Sequence, residues 1–377
     1  MGTLSAGADA IIIGGGPAGS AAATGLARAG AAVKLLERER TCSAKVCGEF
    51  LSIEACEEAR SLGVDPLELG AAPIDRVRVS WRGTTVESSL PFRAASLSRA
   101  AFDAALLAAA ARSGAQILRN TRALSLEPTH LTARADSETT RLETRAFILA
   151  TGKSELPGQR RSGGHFPDAL GFKMHLRLAP RDHAGLGSAV ELALFPGGYC
   201  GMQRLENPLT AFALVIRRDT YARLGSWRAL LRHIAAAHKP IAAILENATE
   251  LWPRPLAVSG VPYGFTYHDP PPTKGDPTTP NLYRIGDQLA VIPSFTGDGI
   301  AIALVTGTHA AKAIAQNQSP STFHAAMRKR LATPMLVAGV LSRAITTPMG
   351  RAAVVWPASI APQIFTAVAS LTRINRT

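Results

Sequence analysis

A short segment near the N-terminus, Lys45–Phe50 (KVCGEF), places a thiol, a glycine and an acid side by side. Cys47 could donate a proton, contact a cofactor, bind a metal or fill space in a packed core. The chain has three other cysteines, and none of the four shows the paired C-x-x-C spacing of a zinc or iron–sulfur site. We therefore predict no metal site, and the chemistry open to Cys47 depends on its surroundings.

A glycine-rich turn precedes this segment. Gly14, Gly16 and Gly19 follow an apolar run at 8–13 and open a helical pattern. In this spacing the first glycine permits a tight turn, the second lets a pyrophosphate approach the backbone, and the third lets helix and strand pack closely. Glu37 ends the next apolar run, where its carboxylate can accept hydrogen bonds from ribose hydroxyls. The pattern predicts a dinucleotide site.

A second glycine-containing segment indicates which dinucleotide binds. A buried-strand pattern ends at Gly286-Asp287, and a loop containing Pro293 leads to a helix that starts near Gly297 and Gly299. An NAD domain has no need of this second site, whereas an extended FAD has to be held at both ends. Asp287 is placed to bind the ribityl hydroxyls, and the helix start directs its positive end at the flavin. We therefore predict FAD.

The elements that would position these residues predict an α/β fold. Apolar strand patterns alternate with helical patterns up to about residue 160, whereas short apolar runs separated by Gly, Pro and Asn between about 165 and 270 predict an antiparallel sheet. We predict a Rossmann-like FAD-binding domain with an inserted antiparallel β-sheet substrate domain and a helical C-terminal segment. The predicted ranges are 1–75, 96–160 and 280–320 for the FAD-binding domain, 76–95 and 161–279 for the substrate domain, with a proline-rich connection at 269–280, and 321–377 for the C-terminal segment.

The C-terminal segment is apolar, and no residue between Arg351 and Arg373 is charged. We expect it to pack as helices against the rest of the chain, with a peripheral membrane contact as the alternative; two internal prolines argue against a true span. Four prolines are expected to break its helices: Pro334, Pro348, Pro357 and Pro362.

The net charge of the 377-residue chain is +13, with its arginines scattered. Because no basic run is interleaved with aromatic residues, we expect no nucleic-acid partner. The N-terminus has no basic stretch and no cleavage motif, so we expect a cytoplasmic protein.

Six segments together resemble a known family. They are GGGPAGS…LLERER, KVCGEFLS, LSRAAFD, ILATG, PGGY and IGDQLAVIPSFTGDGIAIAL, in that order. Over residues 8 to about 330 the chain is similar to the FAD-dependent oxidoreductases related to geranylgeranyl reductases, and more distantly to aromatic-ring hydroxylases and flavin halogenases. Thr151 stands where the hydroxylases carry an acid, and the chain lacks the W-x-W of halogenases, so the resemblance favours the reductase branch.

The resemblance implies roles for several residues. The motif K-x-C-G-[DE] places Cys47 near the flavin, with a catalytic role or simple space filling as the alternatives. Gly48 would permit close approach of the backbone, and Glu49 would cap the helix that follows. Arg99 would reach the FAD pyrophosphate or the flavin edge, with a surface ion pair as the alternative, and Cys200 could lie over the flavin.

The implied activity is that of an FAD-dependent oxidoreductase on a lipophilic secondary metabolite. Reduction of a carbon–carbon double bond is favoured, with a monooxygenase of the aromatic-ring hydroxylase type as the alternative. NAD(P)H, bound transiently, or a separate reductase would supply the electrons. We expect the substrate to lie between the flavin and one face of the sheet, which five apolar residues are expected to supply: Phe172, Met174, Leu192, Leu194 and Phe195.

Nineteen cofactor-binding residues are predicted in all, and Cys47 is also the predicted catalytic residue. They are Gly14, Gly16, Pro17, Ala18, Gly19, Glu37, Arg38, Lys45, Cys47, Gly48, Arg99, Thr151, Gly152, Gly286, Asp287, Pro293, Gly297, Gly299 and Ile300.

Overall fold

The computed structural model describes residues 7–161, 163–164, 168–269, 281–361 and 363–374. The predicted proline-rich connection, apart from Asp269, lies outside these residues. The strands are β1 Ala8–Ile13, β2 Val33–Leu36, β3 Phe50–Leu51, β4 Ala72–Trp81, β5 Thr84–Ser96, β6 Gln116–Leu118, β7 Thr121–Leu126, β8 His130–Ala135, β9 Glu138–Leu149, β10 Ala169–Arg177, β11 Ala189–Phe195, β12 Gly198–Arg204, β13 Thr210–Arg217, β14 Thr249–Glu250, β15 Leu256–Ser259 and β16 Leu282–Arg284. The α-helices are α1 Pro17–Arg28, α2 Ile53–Ser61, α3 Arg99–Arg112, α4 Pro180–Leu186, α5 Arg218–Leu224, α6 Trp227–Ala237, α7 Lys239–Asn247, α8 Gly299–Ala315, α9 Pro320–Thr346, α10 Pro348–Ile360 and α11 Gln363–Leu371.

The first sheet has a parallel centre in the order β6-β2-β1-β9, with β16 also pairing with β9. Its central strands are apolar and buried because helices cover them, as the sequence pattern predicts. The hairpin strands β7 and β8 extend the sheet in antiparallel fashion beside β9. The predicted α/β class and βαβ opening are therefore confirmed.

The second sheet has nine strands in the order β14-β10-β13-β12-β11-β4-β5-β3, with β15 also pairing with β10. Its pairs are antiparallel, as predicted, except that β11 runs parallel to β4. One face packs against α6 and α7 through a cluster that includes Phe212, Leu230, Ile234 and Ile241. The predicted domain boundaries themselves stay a prediction.

The C-terminal segment is helical, as predicted, but two of the expected breaks are wrong. Helix α9 continues through Pro334 and α10 continues through Pro357. A proline removes one backbone donor, and the surrounding turns keep the helix going despite that loss. Pro348 opens α10 at a position where proline is tolerated, and Pro362 lies outside the described residues. None of the helices in the described part of the chain has the length and apolar character needed to cross a bilayer.

Candidate active site

A cavity of about 1170 Å³ lies between the carboxyl ends of the parallel strands and the nine-stranded sheet. This is where open α/β sheets bind their ligands, and the volume exceeds the upper end, about 1,000 Å³, of typical small-molecule sites. All the predicted cofactor residues except Gly19 and Pro293 line it: Gly14, Gly16, Pro17, Ala18, Glu37, Arg38, Lys45, Cys47, Gly48, Arg99, Thr151, Gly152, Gly286, Asp287, Gly297, Gly299 and Ile300.

Two glycines of the turn at 14–19 have different roles: one allows close packing and the other leaves space for a ligand. A Cβ at Gly19 would lie 1.9 Å from the carbonyl oxygen of Gly14, so Gly19 serves the close contact of α1 with the turn. A Cβ at Gly16 would meet only Arg99 Nη2, at 3.7 Å. The space in front of Gly16 is therefore open, and it fits a pyrophosphate approaching the start of α1.

Glu37 is oriented by the same turn. Its Oε2 accepts a hydrogen bond from the backbone N–H of Gly15 at 2.8 Å, and its Oε1 accepts one from that of Glu39 at 2.9 Å. Each carboxylate oxygen keeps capacity for a further donor. The arrangement fits the predicted contact with ribose hydroxyls.

Asp287 lies on the cavity wall after β16, next to Gly286, where an added Cβ would lie 3.1 Å from Ala18 of α1. Its carboxylate lies 3.6 Å from Lys153 Nζ, and its backbone carbonyl accepts a hydrogen bond from Arg161 Nη1 at 2.8 Å. Burial disfavours the charge of Lys153, but Asp287, Cys47 and Tyr263 together outweigh burial, and the pKa of Lys153 is raised. Lys153 escaped the sequence prediction, although it directly follows the predicted pair Thr151-Gly152.

The C-terminal segment also reaches this site, which the sequence pattern did not indicate. Arg373 lines the cavity, its Nη1 lies 2.5 Å from Oδ1 of buried Asp298, and its guanidinium lies over the ring of Phe92. Burial raises the pKa of Asp298 to about 7, with Arg373 acting in the opposite direction. Residues near the end of the chain thereby complete one wall of the cavity.

The Cys47 segment runs along the cavity. Cys47 is half-buried, and its Sγ accepts the backbone N–H of Glu49 at 3.3 Å. The carbonyl of Gly48 accepts a hydrogen bond from Gln203 Nε2 in the second sheet at 3.0 Å. A Cβ at Gly48 would meet nothing within 4 Å, so the space beside this backbone is open.

Glu49 does not cap the following helix, so that expectation is wrong. Ser52 caps α2, whereas Oε1 of Glu49 accepts the backbone N–H of Arg99, in the first turn of α3, at 3.0 Å. The other oxygen of Glu49 lies 2.5 Å from Lys173 Nζ and 2.8 Å from His175 Nε2. Two basic side chains on β10, more than 120 residues away, therefore determine where this acid points.

Glu49 is charged in spite of its burial. Burial alone would raise the pKa of Glu49, but the Lys173 ammonium and the hydrogen bond from His175 outweigh it and lower the pKa to about 2. Glu49 also has a backbone φ of 63°, which is uncommon for a residue with a side chain. The Glu49 cluster ties the cysteine segment to the second sheet and to the start of α3.

Arg99 makes an ion pair, but it is not a surface pair. Its Nε and Nη2 each lie 2.7 Å from an oxygen of Asp103, and its side chain is only 13% exposed. Burial opposes its charge, yet the Asp103 carboxylate outweighs burial and raises the pKa of Arg99. Asp103 thus holds a cation at the glycine turn, where the predicted pyrophosphate contact requires one.

The second sheet supplies an apolar wall, although only part of the expected set faces it. Leu192 and Leu194 face the cavity, whereas the side chains of Phe172, Met174 and Phe195 pack on the opposite face, where the Phe172 ring lies 4.9 Å from that of Tyr221. Side chains alternate along a strand, so Phe195 cannot share the face of its neighbour Leu194.

Cys200 faces away from the cavity, so the possibility that it lies over the flavin is excluded. It is fully buried in the cluster against the helices, and burial raises the pKa of its thiol to about 12. Its neighbours Tyr199 and Gly201 line the cavity instead, again because alternate residues face opposite sides. All four cysteines of the chain are free thiols.

Three hydroxyl groups that escaped prediction lie together on the cavity wall. The hydroxyl of Tyr199 lies 2.6 Å from Ser294 Oγ, which donates to the hydroxyl of Tyr263 at 3.3 Å. Burial raises the pKa of both phenols, so they remain neutral hydrogen-bond donors. Tyr199 is the last residue of the PGGY segment, and this motif was the signal in the sequence that could have identified Tyr199 as a site residue.

The remaining predicted residues make local contacts beside the cavity. Arg38 Nη1 donates to Ser154 Oγ at 3.1 Å, Thr151 Oγ1 donates to the Ser154 carbonyl at 2.7 Å, and Lys45 Nζ donates to Ser43 Oγ at 3.3 Å. Within the described ranges, no group of three His, Cys, Asp or Glu side chains could hold a metal ion.

Relatives with known names cover most of the chain. It is 25% identical to a menaquinone reductase of Mycobacterium tuberculosis, over 90% of this chain and 85% of that protein. It is 27% identical to digeranylgeranylglycerophospholipid reductase 2 of Methanopyrus kandleri, over 84% of this chain and 80% of that protein. A solved flavin-dependent brominase shares the fold, with a TM-score of 0.78, 18% identity and coverage of 97% of this chain and 93% of that chain.

A family model described as pyridine nucleotide-disulphide oxidoreductase matches residues 8–203, more than half of the chain. This range includes the glycine turn, Glu37, the Cys47 segment and Arg99, all of which meet at one cavity. The chain therefore belongs to the pyridine nucleotide-disulphide oxidoreductase family and is an FAD-dependent oxidoreductase.

Proposed function

We propose that the protein reduces a carbon–carbon double bond of a lipophilic molecule with electrons from NAD(P)H. The observation that carries the proposal is the apolar wall of the second sheet, where Leu192 and Leu194 face the same cavity as the glycine turn and Asp287. Two relatives are named as reductases of lipophilic molecules, a menaquinone and a digeranylgeranylglycerophospholipid. The family description names a pyridine nucleotide, which supports NAD(P)H as the reductant.

Three charged residues of the cavity have a binding role in this proposal. Arg99, fixed by Asp103, stands beside Gly16 to neutralise the pyrophosphate, whereas Glu37 accepts hydrogen bonds from ribose hydroxyls and Asp287 accepts them from ribityl hydroxyls. When bound and reduced by NAD(P)H, FAD would supply a hydride to one carbon of the double bond. The apolar wall excludes water from that carbon and orients the lipophilic chain.

The second carbon needs a proton to complete the reduction. The described cavity wall offers the Cys47 thiol and the neutral phenols of Tyr199 and Tyr263. We propose Cys47 as the donor, because its segment is held beside the cavity by Gln203 and by the Glu49 cluster. Hydride and proton together add two hydrogen atoms, and NAD(P)H provides both electrons.

An anaerobic turnover experiment with purified protein tests the proposal. The flavin is first reduced with NADPH or NADH, and menaquinone or an unsaturated polyprenyl lipid is then added. Reoxidation of the flavin without oxygen, with a product heavier by two hydrogen atoms in mass spectrometry, is expected. Failure to reoxidise under argon, with a product heavier by one oxygen atom in air, would instead assign a monooxygenase.

A further inference from the structure

The large exposed apolar side chains concentrate at the C-terminal helices. Among the described residues eight such side chains are exposed, and six of these lie in α9, α10 and α11. The six are Leu336, Val340, Met349, Trp356, Ile360 and Leu371, with exposures from 53% for Leu371 to 85% for Met349. A concentration of this kind marks an interaction surface, whereas scattered single residues do not.

Helix α10 is apolar on two opposite faces. Its inner face packs on the second sheet: Val355 is buried in a cluster with Val79 and Leu194, and Arg351 Nη1 donates to the carbonyl of Phe195 at 3.0 Å. Its outer face carries Met349 and, at spacings of four, seven and eleven residues, Ala353, Trp356 and Ile360, all of which are exposed. A helix fixed in this way with an apolar outer face requires a second apolar environment.

Helix α9, which packs against α10, has an exposed apolar face of its own that also carries positive charge. Leu336 and Val340 share one exposed face with Lys329 and Arg343, since these residues are separated by seven, four and three positions. We call Leu336, Val340, Met349, Trp356 and Ile360 the C-terminal apolar face.

The segment that carries this face has charges of one sign. Residues 299–377 contain eight Lys or Arg and no Asp or Glu. Exposed apolar side chains that include a tryptophan, in a segment with cations and no anions, match the interface of an anionic bilayer. A soluble protein partner with an acidic surface would leave the apolar part of the face without an apolar environment.

The same region borders the cavity. Leu341 and Ile345 of α9 and Ala353 and Pro357 of α10 line it, and Ala353 is also exposed on the outer face. The cavity and the C-terminal apolar face therefore meet at α10. A lipophilic molecule could pass between them over a short apolar path.

We propose that the C-terminal apolar face docks onto the surface of an anionic lipid bilayer, with α9 and α10 lying at the interface. The cavity then opens beside the lipid. The idea that substrate enters the cavity from the lipid rests on the proposed function, but the docking itself does not. Vesicle binding therefore tests the docking without a measurement of turnover.

Vesicle flotation of the full-length FAD-loaded protein tests the docking. Wild type is expected to float with vesicles of phosphatidylglycerol and phosphatidylcholine, and to bind pure phosphatidylcholine about tenfold or more weakly. The double variant Met349→Ser/Ile360→Ser should partition to the anionic vesicles at least about tenfold more weakly than wild type. In wild type, docking removes the apolar side chains of Met349 and Ile360 from water, and serine lacks this contribution. The matched control Leu67→Ser/Leu69→Ser changes the two large exposed apolar side chains that, among the described residues, lie outside the C-terminal helices, and it should float like wild type.

Two further measurements secure the interpretation if the serine variant is poorly folded. Brominated lipid should quench tryptophan fluorescence in wild type and much less in Trp356→Phe, whereas equal quenching in both would overturn the proposal. Lys329→Gln should reduce binding to anionic vesicles about fivefold, without effect on pure phosphatidylcholine. Absence of vesicle binding in wild type, with a concentration-dependent dimer that Met349→Ser/Ile360→Ser abolishes, would assign the face to a second copy and refute docking to lipid.

Discussion

Lys173 Nζ lies 2.5 Å from Oε2 of Glu49 at a place where neither side chain has any exposed surface. The pair joins the segment that carries Cys47 to strand β10 of the second sheet. Charges buried to this degree lose much of their hydration, which their mutual attraction and further hydrogen bonds must offset. His175 and the first turn of α3 supply those further contacts.

Removing one partner of this pair should cost more than removing both. Glu49→Gln and Lys173→Met should each lower the free energy of unfolding by about 3–5 kcal/mol, because each leaves an uncompensated buried charge. The double variant should recover a large part of that loss. Urea denaturation of the four proteins measures the coupling, and strictly additive losses would contradict a direct interaction.

Acid should weaken the fold through Glu49. Its pKa is about 2 in the folded protein against an ordinary value of 4.5, so its contribution is fully present above pH 4.5 and is lost as the pH falls toward 2. The loss should be on the order of 3 kcal/mol. Melting temperatures of wild type and Glu49→Gln should therefore converge as the pH falls through this window. Glu127→Gln, at an exposed position, serves as the control, and a constant difference between wild type and Glu49→Gln would argue against the assignment.

Replacing Gly16 by Val should abolish FAD binding and leave the fold intact. An added Cβ meets only Arg99 Nη2 at 3.7 Å, so the protein without cofactor tolerates it while the pyrophosphate loses its space. The measurements are the flavin content after purification and the circular dichroism spectrum. Gly185→Val, at a glycine where a Cβ meets nothing within 4 Å, should keep its FAD. Full flavin content in Gly16→Val would remove the glycine turn from the site.

Asp287→Ala should weaken FAD binding about ten- to hundredfold, since a charge-assisted hydrogen bond is worth roughly 1.5–3 kcal/mol. The side chain is 22% exposed at the cavity wall, so the melting temperature of the apoprotein should change little. Fluorescence titration of apoprotein with FAD gives the affinity. The FAD affinity of Asp287→Asn, which keeps a hydrogen-bond acceptor, should lie between those of wild type and Asp287→Ala. Wild-type affinity in Asp287→Ala would exclude the ribityl contact.

Cys47→Ser should lower turnover by about 10²–10⁴-fold if the thiol donates the proton. The matched variant is Cys200→Ser, on the opposite face of the sheet, which should lose less than about tenfold in turnover. It should instead lose stability, because its buried hydroxyl needs a hydrogen-bond partner. Steady-state rates, flavin spectra and melting temperatures of both variants separate the two roles. Wild-type turnover and an unaltered flavin spectrum in Cys47→Ser would leave space filling as the role of Cys47.

The sequence by itself determined the cofactor end of the site. Gly14, Gly16, Gly19 and Glu37 belong to one βαβ unit, and local chain geometry brings them together in any protein that forms it. Asp287 follows another strand of the same parallel sheet, so its position at the carboxyl edge could also be predicted.

Only the tertiary structure decided the partners of Glu49, the side of the sheet that Cys200 faces and the place of Arg373. Glu49 and Lys173 are 124 positions apart, and Arg373 and Asp298 are 75 apart, distances at which spacing carries no information about contact. Alternation along β12 requires Tyr199 and Cys200 to face opposite sides, but which side is the cavity depends on where α6 and α7 pack. The outward direction of Met349 and Trp356 depends in the same way on the contact of Arg351 and Val355 with the sheet.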